Sequence, residues 1–98
     1  MREYIVDFTE ATRFTQIHEI LKKDLHFPAY YGENSYALWD CLTDFIGEQV
    51  HITLRGVNQL TGDAREVIDE VLGVFGDAAE RMETFSYTVE EELPENNG

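Results

Sequence analysis

Hydrophobic positions along this 98-residue chain follow two different periods in turn. Tyr4, Ile5, Val6 and Phe8 form a short β-branched and aromatic run, which predicts a first strand buried largely on both faces. Beyond residues 9–12, Phe14, Ile17, Ile20, Leu21 and Leu25 recur at helical spacing. Lys22 and Lys23 fall near the end of that helix, where its dipole favours cations. Phe27-Pro28 closes it, because a residue before proline is pushed out of the α region. The aromatic pair Tyr30-Tyr31 and Gly32 follow, and then Asn34 or Ser35 can cap a second helix by accepting from its first unsatisfied N–H groups. This helix is expected to reach about Thr43. Leu38, Cys41, Leu42 and Phe45 lie on its core side, and Tyr36, Asp40 and Thr43, at i, i+4 and i+7, on the available side.

In the second half, Val50, Ile52 and Leu54 alternate with His51, Thr53 and Arg55 and predict a second strand. Residues 56–62 make a connection with room for one helical turn. Asp63 with Glu66 resembles a capping box in its Asp variant and introduces the longest helix, whose apolar positions run from Ala64 and Val67 through Ile68, Val71, Leu72 and Phe75 to Met82. Gly73 and Gly76 each cost about 1 kcal/mol against alanine inside it, so they either permit close packing or weaken the helix. Phe85, Tyr87 and Val89 alternate with Ser86 and Thr88 in a third strand. Strands separated by helices require crossover connections, hence a single α/β domain over residues 1–89 with a small three-stranded parallel sheet covered by helices. Residues 90–98, acidic and with little to bury, are expected to form a disordered tail.

Charge narrows the function. Twenty acidic against seven basic residues give a formal charge of −13, which repels nucleic acid phosphates and anionic lipid headgroups and suits steering onto a basic partner. The same charge also serves solubility alone. Cys41 is the only cysteine, so no internal disulfide can form, and a reducing cytoplasm is the expected compartment. Glu3, Asp7, Glu10 and Glu19 in the first twenty residues leave no apolar run for a signal peptide, and no segment approaches membrane-spanning length.

The distribution of charge is uneven. Residues 24–54 contain no Lys or Arg, yet hold Asp24, Glu33, Asp40, Asp44 and Glu48 together with half of the twelve aromatic residues. Rigid rings beside carboxylates suit a protein interface that selects a cationic partner, while the plainer reading places the rings in the core and the acids on a solvated face. The segment Tyr30-Tyr31-Gly32-Glu33-Asn34-Ser35-Tyr36-Ala37-Leu38-Trp39-Asp40-Cys41-Leu42-Thr43 resembles the signature of the barstar family, with weaker similarity at Lys22-Lys23-Asp24-Leu25, Phe27-Pro28 and Val74-Phe75. That resemblance implies a three-stranded parallel sheet with about four helices. It also implies a cytoplasmic, one-to-one inhibitor of a ribonuclease or ribonuclease toxin, needing no cofactor. By position it implies partner contacts at Tyr30, Gly32, Asn34, Asp40 and Thr43, with Asp40 as the central carboxylate, and at Asp77. Tyr36 stands where the pattern has a second acidic residue on the same face, Asp44 where it has a small residue, and Phe45 where it has tryptophan.

Catalytic chemistry finds little support. His18, His26 and His51 show no metal-ligand spacing, the chain holds no nucleotide-binding or nucleophile-elbow motif, and Asp40 with Asp44 at i, i+4 has no neighbouring nucleophile. Cys41 reads as a small core side chain. An immunity protein against a different nuclease toxin and a non-inhibitory regulator of a basic protein are the alternatives to ribonuclease inhibition.

Overall fold

A computed structural model of the protein describes residues 1–45 and 47–90. The chain runs β1 (Arg2–Asp7), α1 (Thr15–Asp24), α2 (Ser35–Thr43), β2 (Val50–Arg55), a single 3-10 turn (Val57–Gln59), α3 (Gly62–Arg81) and β3 (Phe85–Val89). All three strands are parallel in the order β1-β2-β3, with Val6 opposite Leu54 and Ile52 opposite Tyr87. Crossovers between parallel neighbours are right-handed as a rule, and two of them advancing in one direction put their helices on one face of the sheet.

The alternation in β2 records this directly: Val50, Ile52 and Leu54 are buried, while His51, Thr53 and Arg55 are half-buried on the opposite face. The expectation that β1 is buried on both faces is therefore corrected. Val6 is inside, but Ile5 points to the uncovered face and is 52% exposed. On that face His51 binds Ser86 through Nδ1 at 2.7 Å and Thr88 through Nε2 at 3.0 Å, a strand-to-strand hydrogen-bond network in place of a second helical layer.

Beneath the helices a continuous core joins Val6 and Phe8 to Ile52 and Leu54, to Ile17 and Leu21 of α1, to Leu38 and Leu42 of α2, and to Ile68, Val71 and Phe75 of α3. Among the described residues no polar or charged side chain is buried in it. α1 packs on β1 and α3 on β3, while α2 packs chiefly against α3 and so stands outermost. Phe14, expected to open the apolar stripe of α1, lies one residue before the helix and is 50% exposed.

Among the described residues there are three α-helices, where the family resemblance implied about four. The connection after β2 makes only the short 3-10 turn, bounded by Gly56 at φ +80° and by extended Leu60. Gln59 in that turn donates to the carbonyls of Phe8 and Thr9 at 2.7 and 2.6 Å, tying it to the end of β1. A Cβ at Gly56 would lie 2.6 Å from the Thr9 nitrogen, so both the left-handed φ and the close approach demand glycine. The capping box expected at Asp63 is also absent as such: the helix begins two residues earlier, at Gly62, Thr61 occupies the cap position without a side-chain cap bond, and Asp63 serves in the first turn, where the dipole favours an acid. Glu90 remains in place after β3, its N–H donating to the Leu54 carbonyl at 2.9 Å and its carboxylate accepting from Arg55 at 2.6 Å. The rest of the expected tail, residues 91–98, lies outside the described residues.

α3 is continuous through both internal glycines. A Cβ at Gly76 would meet the Tyr87 hydroxyl at 3.5 Å, an ordinary contact, whereas one at Gly73 would meet nothing within 4 Å. Gly73→Ala is accordingly expected to raise the free energy of unfolding by about 0.5–1 kcal/mol in urea titration, by reducing the freedom of the unfolded chain. Gly56→Ala should lower it.

Candidate functional site

The loop before α2 divides the tyrosine pair between core and solvent. Tyr31 is buried, its ring 4.8 Å from that of Phe27 and its hydroxyl 2.7 Å from His18 Nδ1, whereas Tyr30 is 87% exposed. An anchored ring beside a free one holds the loop at a defined height and presents Tyr30 outward. Burial pushes the Tyr31 phenol well above its usual range. Gly32 is exposed, and Glu33 adopts φ +56°, the left-handed region that costs a non-glycine residue about 1–2 kcal/mol. That turn reverses the chain into α2.

Asn34 starts the helix. Its side-chain oxygen accepts from the Ala37 N–H at 2.8 Å, and its amide donates to the Gly32 carbonyl at 3.3 Å, so one residue caps α2 and ties the loop to it. Leu38 and Leu42, wholly buried, fix the rotation of α2 about its axis; removal of either side chain costs about 2–5 kcal/mol on the usual scale of core leucines. With that face inward, Tyr36 is 86% exposed and Asp40 lies one turn on, also exposed. The Thr43 hydroxyl donates within its own helix, to the carbonyls of Trp39 at 2.9 Å and Asp40 at 3.1 Å, which leaves its oxygen as an acceptor only.

The positions singled out in the sequence thus fall into three places. Tyr30, Gly32 and Asn34 belong to the loop, and Tyr36, Asp40 and Thr43 to the outer face of α2. Asp77 lies across from this face on α3, lining a shallow groove of about 410 Å³ with Tyr36, Trp39, Val74 and Arg81. Asp44 is set apart: it terminates α2 and lines a separate depression with Tyr4, His26 and Phe45. Trp39 is half-buried at the edge of α2, with the Arg81 guanidinium 5.7 Å from its ring centroid. Arg81 lies far along the chain from the aromatic segment, and no local sequence signal joins it to Trp39.

Burial and the carboxylates of Asp44 and Asp40 push the Cys41 thiol upward, away from the thiolate a nucleophile requires. Among the described residues no three His, Cys, Asp or Glu side chains are grouped to hold a metal ion, and no helix is long and apolar enough to cross a membrane.

The fold defines a class: a two-layer α/β domain whose outermost helix, with the loop before it, displays carboxylates and aromatic rings. Within that class the chain belongs to the Barstar family. A family model described as Barstar (barnase inhibitor) matches residues 1–92. The chain is also 34% identical over 82 residues to the Bacillus subtilis (strain 168) protein named "Putative ribonuclease inhibitor YrdF", covering 84% of this chain and 90% of that relative.

Two predictions follow from the loop geometry. Asn34→Ala should lower unfolding stability by about 1 kcal/mol in chemical denaturation, because the first N–H groups of α2 lose their acceptor. Burial also holds the His18 imidazolium below its ordinary range, partly offset by Glu33 and Glu70. The folded protein then binds fewer protons than the unfolded chain below pH 6.5, so stability is complete above that pH and declines as pH falls toward the lowered value. The slope from this one group cannot exceed about 1.4 kcal/mol per pH unit. Stability measured across this window should lose that slope in His18→Gln.

Proposed function

We propose that this chain is a non-catalytic, one-to-one inhibitor of a basic ribonuclease or ribonuclease toxin, which covers the enzyme's active site with the 30–34 loop and the outer face of α2. The observation that carries this reading is the outward face of Tyr36 and Asp40, set in a 31-residue segment, 24–54, without a single Lys or Arg. A cleft built to hold RNA phosphates lines itself with Arg, Lys and His, and a carboxylate seated there makes charge-assisted hydrogen bonds in place of the phosphate. The family's description as barnase inhibitor and the name of the Bacillus relative point the same way.

Asp40 is the central carboxylate. Tyr30 and Tyr36 supply rigid aromatic area at the edges of the cleft, a role that conformationally simple rings perform at low entropic cost. Gly32 lets the loop backbone approach closely, and Asn34 and Thr43 add polar contacts through the valences their helix leaves open. Asp44 and Asp77 extend the negative field on either side. Because Tyr36 offers a ring and a hydroxyl in place of a carboxylate, the enzyme that fits this face differs in its cationic groups from one that fits two acids there.

Titration of the chain into an RNA-cleavage assay should end sharply at one equivalent. Asp40→Ala leaves the enzyme's buried cations unpaired and should weaken inhibition by about 3–5 kcal/mol, at least a hundredfold in Kd, with no loss of thermal stability. Full inhibition by Asp40→Ala would exclude the assignment. Binding without loss of cleavage would favour a regulator of a basic protein instead.

A further inference from the structure

Arg81 is a cation in an otherwise acidic setting. Of the seven Lys and Arg residues, Arg2, Arg55 and Arg65 are paired with Glu48, Glu90 and Asp69, Lys22 donates to the Ala29 carbonyl, and Arg13 and Lys23 lie away from the α2–α3 groove. Arg81, exposed in the last turn of α3, has no carboxylate partner within ion-pair distance among the described residues, in a chain with 20 acids. Instead its guanidinium lies near the face of Trp39 and lines, with Asp77, the groove that α2 and α3 form beside Tyr36. A guanidinium near an aromatic face has fewer conformations to lose and keeps its N–H edge free for a planar acceptor.

We propose that Arg81, steadied by Trp39 in the α2–α3 groove that Asp77 also lines, is a second contact of opposite sign on the docking face and takes a carboxylate side chain from the rim of the ribonuclease's basic cleft. The inference rests on the inhibitor reading and adds to it a determinant of partner choice. A face negative at Asp40 and positive at Arg81 matches a partner only when that partner's charges alternate in the same sense, and it repels one with Lys or Arg opposite the groove. Bidentate pairing with a carboxylate is also directional, so it fixes how α2 is rotated in the cleft.

The test uses the full chain, with barnase and a panel of basic microbial ribonucleases as probes. Wild type, Arg81→Glu, Arg81→Lys and Asp40→Ala are titrated against each enzyme, with RNA cleavage and the emission of Trp39, the single tryptophan, as readouts. Thermal melting checks folding. For the enzyme that wild type binds most tightly, Arg81→Glu should raise Kd about tenfold or more and Arg81→Lys less, because lysine keeps the charge without the planar fork. Replacing one Asp or Glu on that enzyme's rim with Lys should restore binding to Arg81→Glu and weaken it to wild type. Arg81→Glu that binds as tightly as wild type, while Asp40→Ala has lost binding, overturns the groove contact alone. Asp40→Ala that binds as tightly as wild type overturns the docking reading, and a wild-type chain that inhibits no member of the panel overturns both.

Discussion

Two parallel connections that cross in the same sense force every helix of this protein onto one face of a three-stranded sheet. β1 and β3 lie on either side of β2, α1 covers the first and α3 the third, and the space that remains for α2 is outside, against α3. The consequence for function is direct. The helix that carries Asp40 has only one side to bury, and Leu38 and Leu42 commit that side to the core. Tyr36 and Asp40 are then outward by geometry, and the opposite face of the sheet is left to a polar network centred on His51.

Loop and core are coupled at the approach to α2. Tyr31 reaches inward to His18 and Phe27, while its neighbour Tyr30 is almost wholly exposed. Glu33 takes a left-handed turn and Asn34 caps the helix two residues beyond Gly32, so four consecutive residues convert a buried ring into the start of an exposed helix. A left-handed non-glycine residue carries a small conformational penalty, and the tyrosine anchor on one side and the cap on the other hold it there. The proposed docking surface thereby has little freedom left to lose on binding.

Charge is arranged at two scales. A net charge of −13 supplies a long-range field that does not depend on the position of any one residue. At short range, Arg2, Arg55 and Arg65 are occupied in ion pairs, and the Arg81–Trp39 contact places one guanidinium beside the acidic face. On the proposed reading, the field selects basic partners as a class, and the groove discriminates among them.

The order of elements, the limits of β2 and β3, the Asn34 cap and the inward leucines of α2 were legible in the sequence, because each depends on periodicity or on a local hydrogen bond that neighbouring residues determine. The carboxylate-rich segment stood out for the same reason, as an uninterrupted run without Lys or Arg. Periodicity could not show that β1 has an uncovered face, since an apolar run reads alike in an edge strand and in a strand covered on both sides; the topology decided that Ile5 is exposed. Within residues 56–62 the pattern allowed the one helical turn that is observed, but did not show the close pass of Gly56 by Thr9. The choice of Tyr31 over Tyr30 for the core, and the meeting of Trp39 with Arg81, each join residues far apart in the chain or facing opposite ways at adjacent positions. Composition and spacing by themselves determined an acidic α/β domain with Asp40 on an open helix face; only the packing of α2 on α3 decided which side chains surround that carboxylate, because such contacts exist only once the crossovers have brought distant segments together.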